Sequence, residues 1–88
     1  MITQVCCVRD LKAEVWGQPY FVNSLGGATR SFIDMCKKPT TEGGEPNVFN
    51  SHPEDFELWH IGTFDDLDAT LGAFSKTDRK RLFSGSDL

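Results

Sequence analysis

The chain has 88 residues, is 39 % hydrophobic and 11 % aromatic, and carries a formal net charge of −4. A domain this small buries only about 60–65 % of the surface its unfolded chain exposes, so one modest core is all it supports. Seven Phe, two Trp and one Tyr exclude a disordered chain, and no apolar run approaches the roughly 18 residues that would span a bilayer. Met1 to Gln4 lack the basic and long apolar stretches of a signal peptide, so the expected setting is cytosolic, away from any membrane.

Ile2 to Arg9 mixes β-branched residues with Cys and Thr, has no helix-period face, and reads as a first strand. Asp10 to Ala13 supplies a turn, and Glu14 to Val22 a second extended segment, broken or bulged at Pro19. Asn23 or Ser24 can cap a helix from about Gly26 to Lys38, with Leu25, Ala28, Phe32 and Cys36 on one face and Pro39 ending it. Gly26 and Gly27 each cost about 1 kcal/mol there, explained either by close packing on the sheet or by close approach of a phosphate to the helix N-terminus.

Pro39 to Asn50 has little to bury and reads as a mobile loop, and Ser51-x-x-Glu54 has the spacing of a capping box for a short turn over 51–55. Phe56 to Phe64 is the strongest strand. Its alternating sets are Phe56, Leu58, His60, Gly62, Phe64 and Glu57, Trp59, Ile61, Thr63, so both faces carry large apolar groups. Asp65 to Asp68 reads as a turn and Ala69 to Ser75 as a returning edge strand. The expected architecture is α+β: a small antiparallel sheet in the order β-β-α-β-β with one helix on one face. A single domain over residues 1–75 is followed by a polar basic C-terminal tail over 76–88.

Three cysteines without a secretion signal argue against a disulfide framework, and adjacent Cys6 and Cys7 on a strand cannot readily chelate one metal. Nucleophile elbow, Walker loop and H-E-x-x-H signatures are absent, so no enzyme, cofactor or catalytic residue is expected. Asp65, Asp66 and Asp68 suit a tight turn better than a metal, and His52 and His60 would matter for acid–base chemistry only inside a pocket.

Charge is segregated. Residues 1–38 carry five basic and three acidic side chains, 39–75 none and eight, and 76–88 four and two. Basic residues Arg9, Lys12 and Arg30 accompany Trp16, Tyr20 and Phe21, with Trp59 possible on the same sheet, while Lys76, Arg79, Lys80 and Arg81 form a compact patch. Aromatic rings that stack on bases, flanked by cations that track phosphates, are how single-stranded nucleic acid is commonly held. The bland counterpart is that these aromatics are core and the patch a solvated tail.

Phe21-Val22, Ala28-x-Arg30-x-Phe32-x-Asp34, His52-Pro53-Glu54-Asp55-Phe56-x-Leu58 and Ile61-Gly62-x-Phe64-Asp65 resemble the small nonstructural protein of gokushoviruses, within the Microviridae. The resemblance runs from about Val15 to Asp65, skips Lys38 to Asn50, and weakens where this chain has Asp66-Leu67-Asp68-Ala69 in place of a Thr-Gly turn. It implies a nonstructural phage protein in the cytoplasm of a bacterial host, binding single-stranded DNA during genome replication or packaging. The candidate contacts are Arg9, Lys12, Arg30, Lys76, Arg79, Lys80 and Arg81 for phosphates and Trp16, Tyr20 and Trp59 for bases. The alternative is an interaction module that docks its acidic 42–68 region on phage replication, procapsid or host proteins. A homodimer or higher oligomer is expected on other grounds: one helix covers one sheet face, which would leave Trp59 and Ile61 bare.

Overall fold

In the computed structural model, which describes residues 2–65 and 73–88, the β-branched N-terminal segment forms the long inner strand β1 (Ile2–Asp10). It ends where the Asp10 carboxylate accepts the backbone N–H groups of Lys12 and Ala13 at 3.1 and 3.0 Å, an Asx-type turn closed by Glu14 at φ 58°. The returning segment is split in two. β2 (Val15–Trp16) pairs Trp16 with Arg9, and β3 (Tyr20–Val22) pairs Phe21 with Val5, with Pro19, which has no N–H to donate, in the gap.

Helix α1 (Leu25–Lys37) starts at Ser24, whose Oγ accepts the Gly27 N–H at 3.0 Å. Its buried residues Ala28, Phe32 and Cys36 are those that the spacing placed on one face. Neither glycine packs on the sheet. A Cβ on Gly26 would meet open space, and one on Gly27 would lie 2.9 Å from the capping Ser24 oxygen, so only Gly27 has a steric reason.

The segment expected to be a mobile loop does structural work at the end of α1. Asn47, 6 % exposed, donates its side-chain amide to the carbonyls of Met35 and Lys38 at 2.8 and 2.9 Å, and Asn50 donates to Cys36 at 2.9 Å. These amides satisfy C-terminal carbonyls that the helix itself leaves unpaired. Asn47 also caps the single-turn helix α2 (Val48–Ser51), which places Phe49 against Phe56 at 4.3 Å and Phe32 at 6.4 Å between ring centroids. The expected capping box does not form: Ser51 ends α2, and the 3-10 turn Pro53–Asp55 has no side-chain cap.

β4 (Phe56–Asp65) lies antiparallel between β1 and β5 (Ala73–Ser84), giving a five-stranded sheet in the order β2, β1, β4, β5, with β3 also on β1. The α+β architecture with its antiparallel sheet and one principal helix is as expected, with an additional short strand. Residues 76–84, read as a tail, are instead part of edge strand β5, followed by a 3-10 turn at Gly85–Asp87. The turn expected at 65–68 and the strand start at 69–72 lie outside the described residues, Asp65 apart.

The core is the layer between sheet and helix: Cys6, Ala28, Phe32, Cys36, Phe56 and Leu58, with Val8, Val22, Phe49 and Phe83 packed against it. Each large side chain fully buried there contributes about 1.5–3 kcal/mol by removal from water. Burial raises the thiols of Cys6, Cys7 and Cys36, Cys6 also through neighbouring Cys7, so all three are protonated fillers at neutral pH. Among the described residues no helix is long and apolar enough to cross a membrane.

Candidate nucleic-acid interface

The register of β1 assigns each side chain to a face. Cross-strand partners share a face, so the partners of core residues Cys6 and Val8 lie on the helix side, and those of Cys7 and Arg9 on the uncovered side. On the uncovered face Trp16, Arg9 and Glu57 make one cross-strand row, and Cys7, Trp59 and Arg81 the next. Trp16 and Trp59 therefore meet on a diagonal, edge to face, with ring centroids 5.8 Å apart.

Cations collect on this pair. The Arg9 guanidinium lies 5.3 Å and that of Arg79 5.7 Å from the Trp16 ring centroid, both within cation–π range. Lys76 lines the grooves beside Trp16. Glu57, 9 % exposed, accepts the Trp59 indole N–H and the Arg81 guanidinium, each at 3.1 Å, and so fixes one aromatic and one cation relative to each other.

Bulges carry β5 past this row. Trp59 opposes Arg81 and His60 opposes Lys80, whereas Gly62 opposes Lys76, so three residues, 77–79, span the place of one opposite Ile61. That expansion brings Arg79 to Trp16 on the far side of β1.

Arg9, Trp16, Trp59, Lys76, Arg79 and Arg81 are thus brought together, and the other sequence candidates are not. Tyr20 opposes Cys6 and lines a groove with Ser24 and Gly27 at the start of α1; burial first, and then the Cys6 and Cys7 thiols, raise its phenol. Arg30 is exposed on α1, across the sheet from the tryptophans. Lys12 lines a groove with Asp10, His52, Glu54 and Asp55, and Lys80 faces the helix side with His60.

Sequence reasoning missed Glu57 as the organising group, although it shares an alternating set with Trp59. It also expected Trp59 and Ile61 to be bare. Both are half-buried, because Trp16 and the bulged β5 reach over them, and the large apolar groups most exposed on this face are Phe21 and Phe74, at 62 % and 54 %. His52, Glu54 and Asp55 gather on the surface, and the buried His60 Nε2, on the residue opposite Cys6, has no hydrogen-bond partner among the described residues.

A family model described as Phage ORF5 protein matches residues 3–88. The chain belongs to the phage ORF5 protein family. The match takes in β5, and with it Lys76, Arg79 and Arg81, so the whole interface lies within the ORF5 family region and is no appendage to it. Neither a curated protein nor a solved structure matches the chain significantly.

Proposed function

We propose that this phage protein is non-enzymatic and binds single-stranded DNA on its uncovered sheet face, in the bacterial host cytoplasm during genome replication or packaging. The observation that carries the reading is the Trp16 ring, flanked by the guanidinium groups of Arg9 and Arg79 and by Trp59. An exposed ring stacks on a base of any sequence, while the cations around it hold the phosphates on either side. The gokushovirus resemblance supplies the setting, since a single-stranded genome must be covered or packaged as it is made.

Titrating the intrinsic tryptophan fluorescence with a short single-stranded oligonucleotide at low and moderate salt tests this. Phosphate contacts by Arg9, Lys76, Arg79 and Arg81 predict a log–log salt slope of about −2 to −3, at about −0.7 per contact. Absence of binding at low salt rejects the reading. It would leave the docking-module alternative, which is favoured by the placement of exposed Glu42, Glu45 and Glu54 on the connection between α1 and β4, away from the tryptophans.

Self-association through the β3 edge is part of the proposal. Phe21 is the most exposed large apolar side chain on that strand, lies 5.6 Å from Phe64, and has no charged partner in the register of β3 with β1. A two-fold axis there would set two DNA faces side by side. Sedimentation at micromolar concentration should give twice the 9.8 kDa chain mass, reverting to one chain in Phe21→Glu; a wild-type monomer rejects the dimer.

A further inference from the structure

We infer that the groove beside Trp16 is a subsite for one unstacked nucleobase, bound for its ring and not for its sequence; this rests on the single-stranded-DNA reading above. The groove measures about 510 Å³, within the range of clefts that take small molecules, and is lined by Trp16, Pro19, Ile61 and Phe74 together with Lys76 and Arg79. No acidic side chain is among its described lining residues. Apolar and aromatic walls suit a base, and two cations suit the phosphates on either side of it.

A second groove shares Trp16, Lys76 and Arg79 and adds Trp59 and Asp78. Trp16 therefore divides two compartments that draw on the same pair of cations. A strand crossing Trp16 can lay one base in the apolar groove and its neighbour against Trp59 while its phosphates stay within reach of Lys76 and Arg79.

The Gly17 backbone and the Cys7 thiol, both in the wall of the apolar groove, are already engaged. The Gly17 N–H donates to Val8 O at 2.8 Å, and the Cys7 thiol donates to Gly17 O at 3.0 Å. Apart from the two cations, the Trp16 indole N–H is the one side-chain donor left among the described lining residues, and a single donor meets an acceptor on every base, so the subsite selects for an unpaired base of any kind. Bases stacked inside a duplex cannot enter it.

The test compares a labelled thymidine octamer with an abasic strand carrying the same phosphates, against the wild-type chain, Ile61→Trp to fill the groove, and Phe74→Ala to remove one wall. The wild type should bind the abasic strand about 10- to 100-fold more weakly, and adenine and cytosine octamers should fall within about 10-fold of thymine. Each variant should lose about 10-fold on the octamer and nothing on the abasic strand. Phe74 is 54 % exposed, so its removal carries the test if Ile61→Trp fails to fold. The subsite is overturned if both variants bind the octamer like wild type while wild type still prefers it to the abasic strand, which would place the bases elsewhere on the same face. Equal wild-type affinity for the two strands also overturns it, leaving a purely electrostatic interface. Binding of neither strand overturns the DNA reading as well.

Discussion

Gly85→Ala is expected to cost about 3 kcal/mol or more of folding stability, a large share of the about 4–13 kcal/mol that a chain of this length commands. A Cβ there would lie 1.7 Å from the Pro53 carbonyl oxygen and 2.4 Å from its carbon. Both are backbone atoms, fixed by the 3-10 turn Pro53–Asp55 that leads directly into the core at Phe56 and Leu58. No rotamer change relieves such a contact, so the C-terminal turn must lift off the turn before β4. Gly26→Ala is the natural control. Its Cβ meets nothing within 4 Å, and alanine should gain up to about 1 kcal/mol in the helix. Urea midpoints should move in opposite directions in the two variants, and an unshifted midpoint in Gly85→Ala would show that the C-terminal turn is not held against Pro53.

The largest loss of DNA affinity is expected from Trp16→Ala combined with Trp59→Ala. Stacking contributes about 1–3 kcal/mol per base, so losing two platforms should weaken binding by at least about 30-fold at fixed salt. The two single effects should not sum to the double, because the rings touch at 5.8 Å and each helps to hold the other. Trp59→Ala also removes the indole donor from Glu57 and frees that carboxylate to hold Arg81 more closely. Because the chain has two tryptophans, the double variant must be followed by anisotropy of a labelled oligonucleotide. Its salt slope should stay near that of the wild type, since no phosphate contact is removed, whereas Arg79→Ala should lower the slope by about 0.7. A double variant that binds as tightly as the wild type would refute stacking on this pair.

Much of the fold is legible in local pattern. Leu25, Ala28, Phe32 and Cys36 announce the buried side of α1, Pro39 its end, and Pro19 the break between β2 and β3. The extent of β5 was hidden because Lys76 to Arg81 reads as a solvated run. At a sheet edge charged residues are well suited, as they discourage further pairing, and Leu82 and Phe83 are the apolar signal that the strand continues. The role of Asn47 could not be read locally at all, since its partners Met35 and Lys38 lie across a tertiary contact.

At the interface, composition brought aromatics and cations to notice, but membership was decided by parity. Register shifts between Val5 and Cys6, between Leu58 and Trp59 and between His60 and Gly62 change which alternate residues share a face. The bulge opposite Ile61 brings Arg79 in, simple alternation turns Lys80 away from Arg81, and the one-residue offset between the β2 and β3 pairings turns Tyr20 away from the face that holds Trp16.

The three thiols give the molecule a further property. Cys6 and Cys7 leave β1 on opposite sides of the sheet, Cys36 sits on the buried side of α1, and none is more than 2 % exposed. Cys6 and Cys36 lie between sheet and helix, so electrophiles and oxidants meet those two sulfurs only when the layers separate, whereas Cys7 is covered from the other side, beneath the groove beside Trp16. Cys6 and Cys36 mark that internal seal, and the rate at which they react with an excess of a small thiol reagent is the rate at which the seal breaks.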